Sequence, residues 1–97
     1  MPTYISLMKN TDRGIKDIKN APQRIAEARK AIEASGGKLI GFYLVMGEYD
    51  YVAIAEATSE ESAMTFLLGL GSAGNVRTTT LRAFTTEELA QMVKKLP

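Results

Sequence analysis

The chain has no cysteine, no histidine and no tryptophan. Without cysteine there is no disulfide framework and no thiol nucleophile. Without histidine as well, zinc fingers, histidine-ligated haem and serine–histidine catalytic pairs are excluded. The chemistry left is that of carboxylate, tyrosine, serine or threonine, lysine and arginine. An excess of one charge is also missing. Twelve Lys and Arg stand against 11 Asp and Glu, a formal net charge of +1. No run of five like charges occurs, which argues against a dedicated nucleic-acid or polybasic membrane surface. Long hydrophobic stretches are missing too: the longest, Leu39 to Gly47, is far short of the roughly 18 residues of a membrane span. The opening Met1-Pro2-Thr3-Tyr4 reaches Lys9 and Asn10 without an apolar signal region, so the expected location is cytoplasmic.

What is present describes a folding chain. Its 97 residues, 45% hydrophobic and 24% charged, suit one globular domain over residues 1–97. Tyr4 to Met8 alternates in the two-residue rhythm of a strand. Lys9 to Asn20 reads as a polar loop with one helical turn around Ile15 and Ile18. Asn20, Pro22 and Gln23 form a capping signature for a helix to Ser35, carried by Ile25, Ala28 and Ile32. Gly36-Gly37 ends it, because glycine accepts the left-handed conformation of a helix terminus. Residues 38–46 and 50–56 read as a hairpin around Gly47-Glu48-Tyr49. A three-residue connection would set Leu44 opposite Val52 and Phe42 opposite Ile54, keeping each apolar set on one face. Thr58 and Glu61 form a capping box for a second helix, with Ala63, Met64, Leu67 and Leu68 in its stripe, ending near Gly74. Asn75 to Phe84 is a fourth strand. Thr85 and Glu88 cap a last helix whose Leu89, Met92, Val93 and Leu96 fall at i, i+3, i+4 and i+7.

The order β-α-β-β-α-β-α predicts an α+β ferredoxin-like plait with an extra C-terminal helix. Right-handed crossovers place strands one and three in the centre. Ile5, Leu7, Phe42, Leu44, Val52 and Ile54 are expected to face the helices. Tyr4, Ser6, Met8, Leu39, Gly41, Tyr43, Val45, Tyr51, Ala53 and Ala55 then form the other face, too apolar to stay wet. A second copy stacked face to face is the simplest cover.

Two segments, Met46-Gly47-Glu48-Tyr49-Asp50 and Gly74 to Phe84, together with Pro2-Thr3-Tyr4, Thr11-Asp12-x-Gly14-Ile15 and Pro22-x-Arg24, resemble the GYD-domain family. These are small bacterial and archaeal proteins named for a glycine, tyrosine, aspartate motif. Here Glu48 separates the glycine from the tyrosine, and Thr58-Ser59 replaces an expected Pro-Asp pair. The resemblance covers the whole chain. It implies a dimeric α+β barrel of the kind shared by small cofactor-free monooxygenases, polyketide cyclases and stress-responsive barrel proteins. It implies no particular activity.

Several polar residues invite a chemical reading. Asp50, beside Tyr49 and Tyr51, could serve as a general base or could bond turn amides. Arg82 could anchor an anion in the inter-sheet cavity or act as structural glue. Tyr4, Ser6, Tyr43 and Tyr51, with Thr78 and Thr80 of strand four, could line a ligand pocket; the tyrosines equally suit a packed interface. Thr11, Gly14, Lys16, Lys19 and Arg24 form an anion cradle or a plain solvated loop. Gly69, Gly71 and Gly74 lack the spacing of a phosphate loop and read as close-packing or helix-ending positions.

The leading expectation is a homo-oligomer binding a small organic ligand in or beside the inter-sheet cavity, with or without cofactor-free catalysis by Asp50 and Arg82. No cofactor, metal, nucleic acid or membrane partner is expected. The alternative is a non-catalytic regulatory or structural dimerisation module. A remote third is an RNA-binding βαββαβ module, which Tyr49-x-Tyr51-Val52-x-Ile54 faintly echoes but Glu48 and Asp50 contradict.

Overall fold

A computed structural model describes residues 1–97. The elements are β1 (Thr3–Asn10), α1 (Asp12–Lys16), α2 (Ala21–Ala34), β2 (Lys38–Leu44), β3 (Tyr51–Glu56), α3 (Glu60–Ala73), β4 (Val76–Ala83) and α4 (Thr86–Val93), with a turn of 3-10 helix at Ile18–Asn20. The four strands form one antiparallel sheet in the order β2-β3-β1-β4. This is the expected plait, with β1 and β3 central. No helix is long and apolar enough to cross a membrane.

Local signals explain most boundaries. Thr85 and Glu88 make the reciprocal capping box that starts α4. Gly36 and Gly74 close α2 and α3 with φ of +87° and +83°. Two caps differ from expectation. Ser59, not Thr58, caps α3 by accepting from the Ser62 amide at 3.0 Å. Asn20 precedes α2 but its side chain makes no cap bond; it donates to Asp17 instead, at 2.6 Å. Gly14 marks a close approach: a Cβ there would lie 1.9 Å from the Asn75 carbonyl oxygen, where the Thr11 amide also bonds at 3.0 Å.

The β2–β3 hairpin departs from the expected register by one residue. Leu44 pairs with Tyr51, Tyr43 with Val52 and Phe42 with Ala53. The Val45 amide donates to the Asp50 carbonyl at 2.9 Å, leaving Met46–Tyr49 as a four-residue turn. The cause lies in β1, whose end captures Asp50: the Asp50 amide donates to the Met8 carbonyl at 2.8 Å. Such a slip would invert the faces along β2. A bulge between Leu39 and Gly41 restores the parity beyond it, so Leu39 stands opposite Ala55 and Lys38 opposite Glu56, while Gly41, still in the slipped register, stands opposite Ile54.

The faces are the reverse of those expected for β1 and β3. Met8, Leu39, Tyr51, Ala53 and Val76 form the buried cluster, and Ile32 of α2 and Leu70 of α3 pack against it. Tyr4, Ser6 and Ala55 share that helix-covered side by register. Ile5, Leu7, Val52 and Ile54 point the other way, with Leu81 of β4 and Tyr43 of β2 beside them. Alternation separates two residue sets without saying which one meets the helices. Here the bulky tyrosines and Met8 reach up into a wide gap, and the uniformly apolar set is left on the open face.

Candidate functional site

The gap is a consequence of where the helices sit. α2 packs on β2 and α3 on β4, and the two helices barely touch one another. The central strands are therefore floored but not roofed. A cleft of about 490 Å³ opens between α2, α3 and the sheet, and 19 of its 29 lining residues are hydrophobic. That volume is within the range of small-molecule sites, roughly 300–1,000 Å³. Alanines make the space: Ala53 and Ala55 on the floor, Ala28 and Ala31 on one wall. Ile25 and Ile32 of α2 face Phe66 and Leu70 of α3 across it. Only eight residues of the chain are buried, and no large side chain is fully so.

The polar groups of the floor are few and neutral. Ser6 is buried, and its hydroxyl pairs with that of Thr80 at 2.8 Å. Tyr4 and Tyr51 also line the cleft, and their hydroxyls are cut off from solvent with no hydrogen-bond partner. The Tyr51 ring lies 5.3 Å from that of Phe42. Arg24 reaches the cleft wall, but its guanidinium is bound to the carboxylate and carbonyl of Asp17.

The sequence-predicted residues divide accordingly. Tyr4, Ser6, Tyr51 and Thr80 meet in this one cleft. It lies between helices and sheet, not against the open sheet face where an inter-sheet cavity was expected. Thr78 shares their side of β4 by its pairing with Met8 but stands outside the lining. Tyr43 is on the opposite face, paired with Val52 and largely exposed. Asp50 is not at the cleft. Its carboxylate accepts from the Asn10 amide at 2.8 Å, fastening the hairpin turn to the end of β1. Arg82 lies on the cleft side of β4 but beyond its mouth. It donates to the carbonyls of Thr3 and Ala83, with its guanidinium 4.4 Å from the Phe84 ring and 5.7 Å from that of Tyr4. The structure thus does not bring Asp50 and Arg82 to one reacting point. Thr11 is occupied as the cap of the five-residue α1, accepting from the Gly14 amide at 3.0 Å.

The cleft walls were not singled out from sequence. Their residues read as ordinary helix stripes, and the helix splay that turns stripes into walls has no sequence signature beyond the run of alanines. The open face of β1 and β3 carries Ile5, Leu7, Val52 and Ile54 and no aromatic, so the base-stacking platform of an RNA-recognition module is absent. No group of three or more carboxylates forms that could hold a metal ion.

The geometry also gives each letter of the glycine, tyrosine, aspartate motif a place. Gly47 takes φ +109° in the turn, Tyr49 lies 5.3 Å under the Lys9 ammonium, and Asp50 holds the Asn10 amide. The family model for the GYD domain matches residues 4–93. The chain belongs to the GYD-domain family. A curated relative from Thermus thermophilus, the glutamine synthetase and cystathionine beta-lyase binding protein, is 35% identical over 95 residues, covering 97% of this chain and 100% of its own. A crystal structure of a Thermus thermophilus protein superimposes with a TM-score of 0.56 at 26% identity, covering 88% of this GYD chain and 95% of that one. These likenesses bear on fold and family; the site geometry above is this chain's own.

Proposed function

We propose that this GYD protein is a non-catalytic binding module that pairs through its open sheet face and docks on a metabolic enzyme. The observation that carries the reading is the amount of apolar surface left on solvent. The chain exposes 6800 Å², against about 5,500 Å² for a compact monomer of its mass. The excess is larger than the roughly 800 Å² each partner contributes to a standard interface. Two apolar surfaces contribute to it. One is the sheet face of Ile5, Leu7, Val52, Ile54 and Leu81, which suits a second copy because two such sheets can stack in an isologous pair. The other is α4, whose Leu89, Met92 and Val93, with Leu96 just beyond its end, are all exposed.

The name of the Thermus relative supports the choice of partner, since that protein is described as binding glutamine synthetase and cystathionine beta-lyase. The engagement of Asp50 and Arg82 with backbone groups, outside the cleft, weighs against the catalytic reading. Isothermal titration of purified glutamine synthetase and cystathionine beta-lyase from the source organism tests it. Saturable binding to at least one enzyme is expected with Kd in the micromolar range or tighter, weakened at least tenfold by Leu89→Asp with Met92→Asp. No heat with either enzyme, or an unchanged Kd in that variant, contradicts it.

A further inference from the structure

We infer that the cleft between α2 and α3 is a binding site for a neutral, mainly apolar, ring-sized molecule carrying a hydrogen-bond acceptor. The inference stands apart from the enzyme-docking proposal and survives its failure. Size and lining set the first half of the ligand class. About 490 Å³ of space walled by 19 hydrophobic residues out of 29 favours an apolar body, since burying it removes both surfaces from water. Charge is disfavoured because the one cation in the wall, Arg24, is already paired with Asp17. Glu27 and Glu56 also contribute to the lining but stand at its margins, Glu27 on the exposed side of α2 and Glu56 at the end of β3.

The floor sets the second half. Tyr51 is only 6% exposed, yet its hydroxyl has no partner, and the Tyr4 hydroxyl is in the same condition. Buried hydroxyls ordinarily find partners. Both residues line the cleft, but their hydroxyls are covered, so an acceptor entering from the cleft reaches them only by displacing the side chains that now cover them. A carbonyl or ether oxygen on the ligand supplies what the protein does not. Ser6 and Thr80 satisfy each other and leave the tyrosines as the donors that fix orientation. With Ser6 and Thr80 engaged with each other and Arg24 with Asp17, binding without turnover is the expected activity.

The test uses two probes of the same shape, 1-tetralone, a neutral bicyclic ketone, and tetralin, which lacks the oxygen. Each is titrated into the full-length ¹⁵N-labelled protein and followed by amide chemical shifts. Both should shift the amides of Ser6, Tyr51 and Ala53, with the ketone binding more tightly. Tyr51→Phe with Tyr4→Phe, nearly isosteric and checked for an unchanged spectrum elsewhere, should weaken the ketone about three- to tenfold and leave tetralin alone, the loss expected for one or two hydrogen bonds. Ala53→Leu, which fills the floor, should abolish both. Three results would overturn the assignment: no shift at these amides at probe saturation, a ketone preference that survives loss of both hydroxyls, or nuclear Overhauser contacts from Leu89 or Met92 to Tyr51 in the free protein. The last would mean that an α4 helix occupies the cleft.

Discussion

At the scale of single residues, the motif that names the family is a device for holding a hairpin to its neighbour. Asp50 uses its amide on Met8, its carbonyl on Val45 and its carboxylate on Asn10. Removing the carboxylate leaves the part-buried Asn10 amide without its acceptor. Asp50→Ala is therefore expected to lower stability by about 1–3 kcal/mol, read as a lower urea midpoint at unchanged m-value. A midpoint equal to wild type would show that the contact is energetically idle. Glycines separate in the same way. Gly14 has a backbone oxygen where its Cβ would be, whereas Gly71 in α3 has nothing within 4 Å, contrary to the close packing expected of it. Gly71→Ala should accordingly stabilise the protein by about 0.5–1 kcal/mol through helix propensity alone. Destabilisation in the same urea experiment would place an unseen neighbour against that face.

At the scale of elements, what was legible in the sequence is local, although two local cap signals, Thr58 and Asn20, were not borne out. The strand alternation, the Thr85–Glu88 box and the glycine stops at 36 and 74 each depend on residues a few positions apart, and each is found. The one-residue error in the hairpin has a non-local cause, the capture of Asp50 by β1, and the bulge at residue 40 that absorbs it has no turn signal of its own. The inverted faces came from assuming that the more aliphatic set meets the helices. Helix splay, set by which strand each helix packs on, decided otherwise. The register slip, which pairs Tyr43 with Val52 and not Ala53, decided that four of the predicted polar residues share a cleft while Tyr43 does not.

The last element carries a pH dependence. Glu88 is held below the ordinary carboxylate value chiefly by its hydrogen bond from the Thr85 amide; desolvation opposes it, and the Thr85 hydroxyl and the Arg82 charge add lesser lowering effects. A depressed folded-state pKa means that the capped form is favoured above the unfolded value of about 4.3 and that the advantage is lost as pH falls through the folded value. Helicity of α4, followed by the carbonyl shifts of residues 86–93, should therefore decline on acidification below about pH 4.3, and Glu88→Ala should remove that step. A step that persists in the variant would assign it to another group.

At the scale of the molecule, shape and surface agree. The radius of gyration is 14.8 Å and the longest extent 53 Å, against about 12.5 Å expected for the radius of a compact domain of this length. α4 makes no substantial packing with the rest of the chain, and the sheet presents an apolar face to water. An isolated copy of this shape buries too little, and the proposed assembly supplies the missing burial. Pairing through the sheet matters most, because it decides which surfaces remain for an enzyme partner. Sedimentation velocity of the purified protein and of Ile54→Asp addresses it without an intermediary. A dimer, or a multiple of one, is expected for the wild-type chain and a folded monomer for the variant. A wild-type monomer at tens of micromolar, or a variant that still pairs, would refute pairing through this face.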